Sequence, residues 1–255
     1  MGMSRELLLL CERFRLNRFM IGLIIVRSES PMAWRIVFIH LLLLSASPLQ
    51  SAEREHASLW RDTPINRVKA LALLETVHAD LLMARSATLV LEAWCQEHHQ
   101  ASEPKIRAIR DVNRQKPAPA EVQDLLKLTP QETIRYRSVQ LVCGTHVFSE
   151  ADNWYVPERL TPGMNEILDT TDTPFGVAVK DLHFSRRTIG AERLWTPLEK
   201  GWEMKMPAFS KTRRFLQIPS YVLHFRAVLS SANNATFSVV DETYRNDLFD
   251  FRLSQ

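Results

Sequence analysis

Arg135 and Arg137 open the run RYRSVQLVC. Side chains on a strand alternate between its faces, so both arginines point the same way, and Val139, Leu141 and Cys143 continue that face. A guanidinium beside an apolar strand face suits a carboxylate, because its planar fork matches the two oxygens. The alternative is a strand-end arginine turned to water. Asp241 and Glu242 follow Val239 and Val240 in a second run of strand character. If both faces of that strand are covered, one of the two acids must face inward. There it could have a raised pKa and exchange a proton. The stretch VFSEADNWYVPERLTPGMN, Val147 to Asn165, sets Glu150, Asp152 and Asn153 among Phe148, Trp154 and Tyr155. Such a strand is either a solvated edge or the wall of a pocket with polar and aromatic sides.

Other chemistries lack their residues. The chain has no C-x-x-C, H-E-x-x-H, G-x-S-x-G, Walker loop or G-x-G-x-x-G. Cys95 with His98 and His99 has a spacing that could hold a metal, but no second ligand group lies near in sequence, and the polar end of a helix explains it more simply. Neither a metal nor a cofactor is expected. Of 255 residues, 45% are apolar and 24% charged, the composition of an ordinary globular protein. The net charge of +3 is dispersed, whereas a nucleic-acid face needs clustered cations, so nucleic acid is not an expected partner.

The elements that position these residues can be read from period and punctuation. Asp62-Thr63-Pro64 is a helix start, and Ile65, Val68, Leu71, Leu74, Val77, His78 and Leu81 recur at helical spacing. A second helix from Ser86 to about His98 completes a helical hairpin, and a short third helix, Ala120 to Leu128, follows the break KPAP. Strands are expected over 106–112, 134–143 and 146–156, with Gly144-Thr145 turning the last two into a hairpin. Thr161-Pro162 starts another helix, and 183–189 is a short strand. Residues 221–231 and 236–244 flank Ala232-Asn233-Asn234-Ala235, a turn that tolerates positive φ. Helices gathered before and between consecutive hairpins predict an α+β fold with an antiparallel sheet.

The beginning of the chain reads as an address. Met32 to Arg35 is a short basic start, Ile36 to Ala46 an apolar run broken only by His40, and residues 45–52 supply small residues and a proline. That order resembles a secretory signal peptide cut near Ala52. The run falls short of the roughly 20 residues a bilayer span needs. Residues 1–31 precede the pattern, and Met32 is a candidate start. The expected organisation is an upstream segment and leader over 1–52, a helical extension over 53–128, and an α+β region over 129–255 packed with the extension as one domain. Export to the periplasm, with no stable membrane span in the mature protein, follows from the leader. Two cysteines then remain, Cys95 and Cys143. In an oxidising compartment they could pair; two thiols packed as small apolar groups is the simpler reading.

Three segments together resemble the chorismate lyase (chorismate–pyruvate lyase) family, whose fold is related to the ligand-sensing domain of GntR-type regulators. They are YRSVQLVCGTHVFSEADNWYVPERL, TDTPFGVAVKDLHFSRRT and FSVVDETYRNDLF. They span roughly residues 130–250 and share an arginine-led strand, a turn, a strand ending in proline, a helix, a PFG helix start and a late strand with a glutamate. The resemblance implies a chorismate lyase-like fold and a cofactor-free elimination that releases pyruvate and leaves an aromatic acid. Glu242 falls on the family's glutamate. The first family arginine falls on Ser138, and a one-residue bulge would bring Arg137 into its place. The second falls on Asn153, an amide in place of a cation, which implies a less anionic ligand than chorismate. Asp152 and Trp154 flank it as candidate lining residues.

Two functions follow from this set. One is a carbon–oxygen lyase acting on chorismate or a related enolpyruvyl or aromatic acid, with Glu242 as acid/base, Arg137 and Arg135 on carboxylate, and Ser138, Asn153, Asp152 and Trp154 lining the site. The other is a non-catalytic periplasmic module that binds a small aromatic ligand. An envelope protein with a collapsed pocket is a third, lesser option. Export is checked directly: an alkaline phosphatase fusion joined after Ala52 is expected to be active outside the cytoplasm, and a fusion that stays inactive in the cytosol would remove the leader reading.

Overall fold

The computed structural model describes residues 57–204 and 214–253, all within one compact unit, residues 49–255. The expected leader, 1–52, lies outside them. Thr63 starts helix α1 (Pro64–Met83) as the sequence suggests: its hydroxyl accepts from the Asn66 amide at 3.3 Å, and Pro64 occupies the first turn, where no amide hydrogen is needed. Helix α2 (Ala87–Glu97) follows after three residues and packs against α1. Between them they bury Leu74, Val77, Leu81, Leu91 and Trp94, and the Trp94 indole nitrogen donates to Leu248 O at 2.9 Å.

Two elements near the ends of this region carry no clear periodic signal. Strand β1 (Ala57–Arg61) and the short β6 (Phe215–Gln217) form a two-stranded sheet of their own. The main sheet has six strands: β2 (Ile106–Arg110), β3 (Arg135–Cys143), β4 (His146–Tyr155), β5 (Ser185–Arg193), β7 (Tyr221–Ser230) and β8 (Thr236–Arg245). They are ordered β2-β3-β4-β8-β7-β5, with every neighbour antiparallel. The architecture is therefore α+β with an antiparallel sheet. Strand β2 comes from the stretch expected to be mainly helical, and it supplies one edge of the sheet.

Alternation gives the sheet two different faces. One carries Val139, Leu141, Ala151, Tyr155, Phe225, Ala227 and Val240 and packs under α1, α2, α4 (Pro162–Thr170) and α5 (Phe175–Ala178) in the larger core. The other carries Trp154, Val228 and Val239 against Val122 and Leu126 of α3 (Ala120–Leu126). Arg159 fastens the end of α3, donating to Leu126 O at 2.7 Å and to the Glu132 carboxylate at 2.6 Å. That guanidinium pulls the Glu132 carboxyl down to about 2. Among the described residues no helix is long and apolar enough to cross a membrane.

The two cysteines do not remain thiols. Cys95 on α2 and Cys143 at the end of β3 form a disulfide, with their Cα atoms 6.5 Å apart. Both lie fully buried where α2 crosses the sheet, a contact between a helix and a strand that no local pattern announces. The bond also removes Cys95 as a metal ligand, and His98 stacks instead between the Trp94 and Phe251 rings, with centroids 4.1 and 4.2 Å away. In denatured, unreduced protein the peptides bearing Cys95 and Cys143 are therefore expected to resist alkylation. Replacing both residues by serine should lower unfolding stability by about 2–4 kcal/mol, measured by denaturant titration.

Candidate functional site

Between the larger core and the sheet lies a cavity of about 570 Å³, counting its open mouth. Its floor is the covered face of the sheet: Val139 and Leu141 from β3, Ala151 from β4, Val240 from β8 and Leu229 from β7. Its roof is the start of α2, Arg85 to Thr88, together with Phe175 and Gly176 of α5 and Phe184 just before β5. Gly176 is close to this roof. A Cβ there would stand 3.4 Å from Ser86 Oγ and 3.7 Å from the Phe184 ring, in ordinary van der Waals contact with both. The PFG run thus contributes two residues to the wall. Most of the lining is apolar, with a few polar groups converging on it, as small-molecule sites usually are.

The polar groups differ in how well they are satisfied. Glu242 of β8 is held by Arg186 of β5 through a 2.7 Å ion pair, with both side chains almost fully buried. The Tyr244 hydroxyl donates to the same carboxylate oxygen at 3.1 Å, and Arg186 also donates to Leu81 O and Thr188 Oγ1 at 3.2 Å each. Burial, the largest single influence, would lower the Arg186 pKa, but the Glu242 charge, Tyr244 and the Glu242 hydrogen bond together outweigh it and the net direction is up. Burial, and then the Glu242 charge, pushes the Tyr244 phenol well above its ordinary range. The Ser238 hydroxyl donates to Asn153 Oδ1 at 2.6 Å, which leaves the Asn153 amide nitrogen without a partner among the described residues.

Arg137 is the exception. It is only 5% exposed, yet its guanidinium makes one hydrogen bond, a 3.2 Å donation to Thr173 O, while Nε and Nη1 have no partner. No carboxylate forms an ion pair with it among the described residues. Burial, and then the nearby Arg110 charge, pulls its pKa down to about 10, so it is still a cation at neutral pH. Buried donors are nearly always paired, and a buried charge without a counter-ion is costly.

Of the residues marked in the sequence, the structure brings three to this cavity: Arg137, Asn153 and Glu242. Arg135 shares the face of Arg137 but lines a separate, polar void, where it is paired with Asp169 at 2.8 Å. Ser138, Asp152 and Trp154 do not reach the cavity. Ser138 is the Cα partner of Asp152, and strand alternation sends both, with Trp154, to the opposite face. There Asp152 accepts from Lys116 at 2.6 Å and from Tyr136 at 2.5 Å, and Trp154 packs under α3. The one irregularity in this hairpin is not where a bulge beside Arg137 would lie. Leu141 pairs with Ser149 and Val142 with Val147, so the extra residue is Phe148, on β4. Between Asp241 and Glu242, alternation turns Glu242 inward and leaves Asp241 outside with His224 at 2.5 Å. Arg186, Ser238, Phe175 and Phe184 were not singled out. The alternation Phe184-Arg186-Thr188 in HFSRRT was the available signal for Arg186, but its carboxylate partner lies 56 residues away.

The fold and site together define an α+β protein with one face of an antiparallel sheet closed over a mostly apolar cavity that holds a buried, unpaired cation. This chain belongs to the same family as the uncharacterized protein y4mC of Sinorhizobium fredii. The two are 43% identical over 210 residues, which covers 82% of this chain and 89% of that protein. No family model matches. Among solved structures, the chain resembles PhnF from Mycobacterium smegmatis at 14% identity and a TM-score of 0.43, over 68% of this chain and 69% of that one. It resembles a GntR-family transcriptional regulator from Enterococcus faecalis at 17% identity and a TM-score of 0.32, over 55% of this chain and 94% of that one.

The two buried arginines should respond oppositely to substitution. Arg186→Met strands the Glu242 carboxylate and is expected to cost about 3–5 kcal/mol of stability. Arg137→Met removes a buried charge with no ion-pair partner among the described residues, so stability should hold or rise by up to about 2 kcal/mol. Denaturant titration of the two variants against the parent protein checks the contrast.

Proposed function

We propose that this protein is a binding module for a small organic carboxylate with an apolar, ring-sized body. The observation that carries this reading is Arg137, a buried guanidinium with two unpaired nitrogens on a cavity that also holds the Arg186–Glu242 pair, Asn153 and Ser238 beside its apolar wall. A carboxylate would supply the missing acceptors, Phe175, Phe184 and the aliphatic floor would cover the body, and the free Asn153 amide could donate to a second polar atom. The same domain is proposed to be exported. The basic, apolar and small-residue order of 32–52 supports this, and so does a disulfide, since such bonds persist in oxidising compartments.

One observation favours a second, catalytic reading along the lines of the chorismate lyase resemblance. Glu242 lines the cavity, and its Oε1 makes no hydrogen bond among the described residues, whereas Oε2 holds Arg186 and Tyr244. Oε1 is therefore positioned to meet a proton or a developing positive charge on a ligand held by Arg137. Against it stands the Arg186 ion pair, which already engages this carboxylate through Oε2.

Calorimetry with benzoate as the probe, followed by a set of substituted aromatic carboxylates, tests the binding reading. Saturable binding is expected, weakened about 10- to 100-fold by Arg137→Met, the loss of a charged hydrogen bond. No saturable binding across the set, or affinity indifferent to Arg137→Met, would sink it. Release of pyruvate and 4-hydroxybenzoate from chorismate, abolished by Glu242→Gln, would move the assignment to the lyase.

A further inference from the structure

Arg135 and Arg137 leave β3 on one face, two residues apart, and while only Arg137 reaches the apolar cavity, both border a second void. Beyond Arg137, on the side away from the apolar cavity, lies an open polar bowl of about 820 Å³ counting its mouth. Arg110, Arg135 and Arg137 line it, with Gln115, Tyr155 and Asp169. Three guanidiniums thus converge on one void from two adjacent strands. Arg110 uses Nη1 to cap the end of α4, donating to Leu168 O at 3.0 Å and Asp169 O at 2.5 Å. Arg135 uses Nη1 on the Asp169 carboxylate. Arg137 keeps Nε and Nη1 unpaired. The neighbouring acids are Asp169 and Asp172, and only Asp169 forms an ion pair with this cluster. Three cations therefore face two carboxylates, and each guanidinium retains donors beyond those it uses.

We propose that this bowl is a second site, one that takes a tetrahedral oxyanion of the phosphate class between Arg135 and Arg137. Guanidinium forks on two sides match the oxygens of such an ion, and the Tyr155 hydroxyl, which lies against Arg135, offers a further donor. The site does not need an apolar body to bind, because its walls are polar and it opens to solvent. It differs in that respect from the neighbouring cavity, with which it shares only Arg137. Asp169 is the internal competitor: it occupies the Arg135 fork while the bowl is empty, and an incoming oxyanion must displace it or share the fork.

The competition gives the test its direction. The full chain is titrated with inorganic phosphate by calorimetry, against sodium chloride at matched ionic strength. Saturable phosphate binding above the chloride control is expected. Arg135→Gln should weaken it about tenfold, the loss of a charged hydrogen bond, and Asp169→Asn should tighten it. Both side chains are about half exposed, so neither substitution threatens the fold. No binding above chloride, or phosphate affinity unchanged in Arg135→Gln, overturns the proposal. The oxyanion could be free or the end of a larger molecule, and phenyl phosphate separates the two sources. A free-ion site prefers inorganic phosphate and a site for esters prefers phenyl phosphate, and either ranking supports an oxyanion bowl. Benzoate titration of the same variants keeps this proposal apart from the cavity reading. Benzoate binding that is indifferent to Arg135→Gln, with no phosphate binding above chloride in the parent protein, leaves the cavity standing and removes the bowl; phosphate binding weakened by Arg135→Gln, with no benzoate binding, does the opposite.

Discussion

A carboxylate in the middle of a covered sheet must be neutralised, and much of this molecule is arranged around that requirement. Glu242 sits on β8, the third strand from the β5 edge, and is 6% exposed on the face covered by the helices. Its counter-charge comes from Arg186 on β5, two strands away. The arginine reaches over β7 to the carboxylate and also holds Leu81 O at the C-terminal end of α1. One side chain therefore ties an edge strand, a central strand and a helix end together. With Arg186 committed to Glu242, the second buried guanidinium, Arg137, has no carboxylate left to it. The positive charge of Arg137 is the remainder after that pairing, and the proposed carboxylate ligand rests on it.

Local pattern carried much of the architecture. Thr63 and Thr161 announce their helices through a hydroxyl one residue before a proline, and in both cases the hydroxyl caps the first turn. Gly144-Thr145 and the asparagine turn mark two of the hairpins, because those positions take positive φ at Gly144 and Asn234. Alternation also identified Arg137 and left Asp241 and Glu242 to be decided by which face is covered. What could not be read was any relation between distant parts of the chain. The partner of Glu242 is in another segment, and so are the partners of Cys95 and Trp94. The run Glu150 to Trp154 shows where pattern was legible but underused. A period of two already separates Asn153 from Asp152 and Trp154, and the structure places them on opposite faces for that reason.

Helix α2 links the two main features of the domain. Its first residues, 87 and 88, form part of the cavity roof, and its last turn holds the cysteine bonded to β3. The same β3 provides Arg137, Val139 and Leu141 to the cavity. Roof and floor are thus joined covalently at one end, and Ser86, Gly176 and Phe184 lie close together in the roof at the other.

The disulfide also has a mechanical consequence. It joins residues 48 apart in sequence, and the span it encloses includes β2, α3 and nearly all of β3. Tension applied to the two ends of the chain passes through the sulfur bridge and leaves that span slack. A fully stretched molecule would come up short by about 160–170 Å, the contour length of the enclosed residues at roughly 3.3–3.6 Å each. Strand β2 and the Arg110 that it carries would bear no load, while the edge of the sheet formed by β5 and β7 would take the full pull.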